Sequence, residues 1–79
     1  MSWKEADDQL IKEFTMDGFT TIMNKLPQVA EKADAMHHHP DFEVYGYKNI
    51  RFKLSTHSEG KVTDKDHELA AQIDQIFSS

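Results

Sequence analysis

The chain has no cysteine, which excludes a disulfide framework, a thiolate metal site and a thiol nucleophile, and with them zinc-finger and thiol-enzyme functions. It has no block of lysine or arginine, and its net charge is −5. An acidic surface of this kind repels a phosphate backbone, so direct nucleic-acid binding is not expected. No stretch approaches the roughly 20 consecutive apolar residues of a membrane span, and Met1-Ser2-Trp3-Lys4-Glu5 is not laid out as a signal peptide. The expectation is a soluble, cytoplasmic protein with no membrane partner. A Gly-rich phosphate loop, a GxSxG elbow and a paired-Cys motif are all missing. No repeat, low-complexity tract or linker divides the sequence, so residues 1–79 read as a single domain. At this length the core is thin, and association between subunits would help stabilise it.

What is present is an alternation of two periodicities. Leu10, Lys12, Phe14 and Met16 alternate with Ile11, Glu13 and Thr15, the period of a half-covered strand. With Asp7-Asp8 as turn residues, Trp3 to Phe14 reads as a hairpin. After Asp17-Gly18 the period changes: Phe19, Ile22, Met23, Leu26, Val29, Ala30, Ala33 and Met36 recur three and four apart and form one helical stripe. Pro27 predicts a kink or tightened turn near Met23 to Leu26. The helix is expected to reach about His37, because Pro40 disfavours the α region at His39. A second hairpin follows, with Phe42, Val44 and Tyr45 before Gly46 to Asn49, and then Ile50 to Thr56. In this last run Ile50, Phe52 and Leu54 share one face, and Arg51, Lys53 and Ser55 the other. Thr63 opens a final helix, with Asp64 and Asp66 in its first turn and an apolar stripe of Leu69, Ala70, Ile73, Ile76 and Phe77. The order predicts an α+β fold, a four-stranded antiparallel sheet (β-β-α-β-β-α) with two helices packed on one face.

Of five histidines, three stand together in Met36-His37-His38-His39-Pro40. Imidazole gives and takes protons near neutral pH, so the cluster reads as acid/base chemistry or metal ligation. A solvated helix end, where the dipole favours imidazolium, is the plainer alternative. Asp34 and His38 are four apart on one helix face and are expected to hydrogen-bond. His57, just past the second hairpin, can meet the helix end only across the sheet edge, and His38 and His39 converge on a ligand only if the chain turns between them. His37, His39 and His57 match in number a three-histidine zinc site. Neighbouring helical histidines point about 100° apart, however, which favours proton transfer over metal.

Asp34, three residues, His38-His39-Pro40, six residues, Tyr47, nine residues, His57, eight residues and Asp66 resembles the signature of the pterin-4a-carbinolamine dehydratases. Val29-Ala30, Leu54 to His57 and Thr63 to Asp74, together with Trp3, Phe14 and Phe19, extend the resemblance over nearly the whole chain. It implies a hydro-lyase that converts 4a-hydroxytetrahydropterin to quinonoid 6,7-dihydropterin in tetrahydropterin recycling. Pterin would be its substrate, with no metal and no bound cofactor, and the subunits would form homodimers or homotetramers. The catalytic positions implied are His38, His39 and His57, supported by Asp34, Pro40 and Asp66. On this reading His39 and His57 form the proton-transfer pair, while His38, held by Asp34, binds the pterin. In animals the same fold also partners a homeodomain transcription factor in dimerisation, so a non-catalytic interaction module with a regulatory protein partner is the alternative. Three departures from the family pattern stand out: the helix that usually precedes Trp3 is expected to be absent, His37 replaces an often acidic or amide residue, and Pro27 and Phe42 to Tyr47 differ.

Overall fold

The computed structural model describes residues 3–78. Six elements follow in the expected order: β1 (Lys4–Ala6), β2 (Gln9–Thr15), α1 (Phe19–Met36), β3 (Asp41–Tyr45), β4 (Asn49–Leu54) and α2 (Asp64–Phe77). The strands form one antiparallel sheet in the order β1-β2-β4-β3. The central pair β2–β4 joins the two hairpins, with Leu10 opposite Leu54, Lys12 opposite Phe52 and Phe14 opposite Ile50. Because side chains alternate along a strand, these residues point to one face, and the core lies there.

Local chemistry explains the connections. Ala6 pairs with Gln9, and the two-residue loop between them has positive φ at Asp7 (52°) and Asp8 (61°), as a type I′ hairpin turn requires. Aspartate tolerates that region better than most side chains. The β3–β4 connection carries positive φ at Gly46 and Tyr47, and Tyr47 projects at its tip, 63% exposed.

Both helices cover the same face of the sheet. Leu10, Phe14, Ile50, Phe52 and Leu54 meet Ile22 and Val29 of α1 and Leu69, Ile73 and Phe77 of α2 in one buried cluster. The Phe77 ring lies 5.3 Å from Phe14 and 5.3 Å from Phe52, tying α2 to the centre of the sheet. Lys12 also points inward. Its side chain is only 8% exposed, and its ammonium lies 2.7 Å from Asp74 Oδ1, while Trp3 Nε1 donates to the same carboxylate. An ammonium so placed needs an acceptor, because a buried unpaired charge is costly. The opposite face is polar: Arg51 bridges Glu13 and Glu43 across neighbouring strands and stacks on Tyr45.

One expectation needs adjustment. The apolar stripe of α1 is only half covered: Ile22, Val29 and Ala33 are buried, whereas Phe19 is 51% and Met23 36% exposed. Its uncovered side lines a groove of about 390 Å³ with Leu26, Ala30 and Phe42. Pro27 lies inside α1, which runs from Phe19 to Met36, in line with the expected end near His37. Among the described residues, no helix is long and apolar enough to cross a membrane.

Candidate active site

The turn that convergence requires is present at the end of α1. His37 adopts the left-handed conformation (φ 53°, ψ 38°), its N–H donates to the Asp34 carbonyl, and the His38 N–H donates to the Ala33 carbonyl. These two bonds make a Schellman motif, normally closed by glycine. The chain thus reverses at His37, and His38 and His39 leave in different directions.

His38 turns inward to α2. Its Nε2 lies 2.6 Å from Asp66 Oδ1, with the His38 side chain 11% exposed and Asp66 fully buried. The other Asp66 oxygen, Oδ2, accepts the Thr63 backbone N–H at 2.9 Å and the Thr56 hydroxyl at 2.9 Å. Thr56 and Thr63 hydroxyls are 2.6 Å apart. Burial by itself would raise the Asp66 pKa, but the bonds from His38, Thr63 and Thr56, with the charge on His38, outweigh it and hold the carboxyl below its ordinary value. A carboxylate can only accept, so the proton between the two residues sits on His38 Nε2. In the neutral form of the ring, the one free lone pair is then at Nδ1.

His39 turns outward. It pairs with Asp34 at 2.8 Å, with both side chains largely exposed (62% and 76%). The expected Asp34–His38 bond is therefore not made: the reversal at His37 brings His39 back over Asp34 and sends His38 to Asp66. The carboxylate that holds His38 comes from the other helix.

His57 occupies the tight turn after β4. Thr56 bridges to Lys61, and the Glu59 and Gly60 N–H groups donate back to the Thr56 carbonyl. His37, His38, His39, Thr56, His57 and Lys65 line one cavity of about 380 Å³, with Pro40 and Asp41 at its side. Five of the six predicted site residues thus gather at one place: the three histidines and Pro40 line the cavity, and Asp66 holds one of those histidines from behind. Asp34 reaches it through His39. Tyr47, part of the sequence signature, lies at the opposite end of β4 from His57. Among the described residues, no group of three or more His, Cys, Asp or Glu is placed to hold a metal ion.

Residues 1–76 match the family described as pterin 4 alpha carbinolamine dehydratase. The chain belongs to that family. Among curated relatives, a protein of Sulfolobus acidocaldarius is 42% identical over 74 residues, covering 94% of this chain and 80% of its own. One of Mycobacterium sp. (strain KMS) is 38% identical over 75 residues, covering 95% and 79%. Both bear the name "Putative pterin-4-alpha-carbinolamine dehydratase". A crystal structure from Brucella melitensis, described as a transcriptional coactivator/pterin dehydratase, superposes with a TM-score of 0.89 at 28% identity, covering 96% of this chain and 82% of that one. The pterin dehydratase fold is thus that of this family member. A second solved structure, a pterin dehydratase-like protein identified as a RuBisCO assembly factor in the alpha-carboxysome, has a TM-score of 0.80 at 20% identity and covers 100% of this chain and 93% of its own. At that identity the likeness concerns the fold.

Sequence reasoning placed Thr56 in the family resemblance but gave it no role at the site, and it passed over Lys65. Thr56 had a signal: it continues the inward series Ile50, Phe52, Leu54, and it is a buried polar group, which demands a partner. Lys65, exposed in the first turn of α2, had none.

Proposed function

We propose that this protein dehydrates 4a-hydroxytetrahydropterin to the quinonoid 6,7-dihydropterin, with His38, His39 and His57 as its acid/base groups. The observation that carries the reading is that these signature histidines, from two separate segments, line the same polar cavity. The reaction is two proton transfers around one bond cleavage. An imidazolium protonates the 4a-hydroxyl and the C4a–O bond breaks, releasing water. A neutral imidazole takes the N5 proton, and the N5 electrons form the C4a=N5 double bond. Protons balance, so the cavity needs no co-reactant, and pterin enters as substrate with no cofactor.

His38 suits the base role better than the pterin-binding role expected of it, because Asp66 leaves Nδ1 as the sole acceptor on its neutral ring. The more exposed His39 and His57 then serve as acid, with Asp34 hydrogen-bonded to His39 at 2.8 Å. Positioned acid/base groups contribute about 10²–10⁴ in rate, enough for a carbinolamine that already loses water slowly. Homo-oligomeric assembly and a cytoplasmic role in tetrahydropterin recycling complete the proposal.

Dehydration followed by ultraviolet absorbance, with the parent protein beside His57→Ala, tests it. Acceleration by the parent and a loss of about 10²-fold in the variant support it. No acceleration by folded parent protein favours the second reading, an interaction module. That reading draws on the fold shared with a chain described as an assembly factor.

A further inference from the structure

The hydroxyl of Thr56 occupies a position that packing does not explain. It is 6% exposed, on the strand-like segment that follows β4, and it touches neither the cavity's histidines nor a backbone carbonyl by any bond of its side chain. Its partners are Asp66 Oδ2 at 2.9 Å and Thr63 Oγ1 at 2.6 Å. The proton directions follow from valence. Thr56 has one hydroxyl hydrogen, and the carboxylate, which only accepts, takes it. Thr63 must therefore donate its own hydrogen to Thr56. The result is a directed chain: Thr63 O–H to Thr56 Oγ1, Thr56 O–H to Asp66 Oδ2, Thr63 N–H to the same oxygen, and His38 Nε2–H to Asp66 Oδ1.

We infer that Thr56 is a positioning residue for the dehydration: by holding Asp66 it fixes His38 as the Nε2–H tautomer, makes Nδ1 its proton-accepting atom, and limits how strongly the carboxylate favours imidazolium. The inference rests on the dehydratase reading for its catalytic part and on geometry alone for its tautomer part. Three donors share the charge of one buried carboxylate. Removing the Thr56 donor leaves more of that charge facing His38, which favours the protonated ring. It also leaves the Thr63 hydroxyl without its acceptor. The side-chain partners of Thr56 are Thr63 and Asp66, and not the other titratable groups lining the cavity, His37, His39, Asp41, His57 and Lys65.

The test compares the parent with Thr56→Val, which keeps the shape and removes the hydroxyl, and Thr56→Ser, which keeps the hydroxyl. Nitrogen-15 NMR of histidine-labelled parent protein, with His38 assigned by substitution, should show its neutral ring protonated at Nε2. In T56V the limb of the pH–rate profile that reports the catalytic base should move to higher pH. The plateau rate should fall about 3- to 10-fold, a fraction of what one positioned acid/base group supplies, with KM changed less. T56S should restore both the limb and the rate. A parent His38 protonated at Nδ1, an unmoved limb in T56V, or a T56S variant as impaired as T56V would overturn the inference. An Nε2–H spectrum from a protein that fails to dehydrate the pterin supports the tautomer assignment and contradicts the dehydratase reading, so the two fail separately.

Discussion

Two histidine–aspartate pairs start from adjacent histidines, His38 and His39, at the end of α1, and they differ in everything but chemistry. His38–Asp66 joins two helices at 2.6 Å with the carboxylate fully buried, and His39–Asp34 closes at 2.8 Å within one turn with both partners in solvent. In the first, three donors fill a carboxylate that water cannot reach, so orientation and proton placement are fixed by the fold. In the second, solvent screens the charges and competes for every bond, and such pairs contribute about 0–1 kcal/mol. On the proposed reading, the buried pair presents His38 as an oriented base, and the exposed pair leaves His39 free to exchange protons with solvent.

The largest effect that separates the pairs comes from neutralising each carboxylate. Asp66→Asn removes the charged acceptor of three bonds and should destabilise the fold by about 2–4 kcal/mol in urea unfolding, with dehydration reduced about 10²-fold. Asp34→Asn in the same assays should change stability by less than about 1 kcal/mol and the rate only a few-fold. Equal losses from both would erase the distinction.

Acid should reveal the buried pair next. The folded Asp66 carboxyl lies below its ordinary value, so the unfolded chain binds the proton more readily than the folded one. The stability this contributes is present above the ordinary aspartate range, near 4, and is lost as pH falls through the depressed folded value. Urea midpoints measured from pH 6 down to pH 2 should decline more steeply for the parent than for D66N. Parallel declines would contradict the assignment.

The smallest effect concerns the turn that splits the pairs. His37 sits at φ 53° in a position that glycine favours, so His37→Gly should stabilise the protein by about 0.5–1 kcal/mol while leaving the dehydration rate within about twofold. Thermal unfolding and the absorbance assay check both parts.

Much of this was legible in the residues themselves. The change from period two to helical spacing at Asp17-Gly18 marks the junction of β2 and α1, and the Ile50, Phe52, Leu54 series marks the buried face of β4, because alternation and burial are one geometric fact. The family resemblance, not the spacing alone, grouped His38, His39 and His57. The pairing within the site was not legible: spacing four apart favours Asp34 with His38 on a regular helix, yet the helix ends at Met36 and the left-handed His37 reverses the chain before that geometry applies. Nothing local announces a left-handed histidine. Asp66 read as a helix-start acid, and it is one, reaching back to the Thr63 N–H. Its second partner across the fold depends on how α2 packs, which no neighbouring residue encodes. Lys12 shows the same limit, since its inward position follows from alternation while Asp74 lies 62 residues away.

His38→Gln tests the central claim most directly, because the amide can still donate to Asp66 but cannot carry a proton between substrate and solvent. The rate of 4a-hydroxytetrahydropterin dehydration, measured on parent and variant with matching circular dichroism, should fall by about 10²-fold or more in H38Q. A folded H38Q protein that retains the parental rate would contradict the account, leaving His38 as scaffold and the proton transfers to His39 and His57 alone.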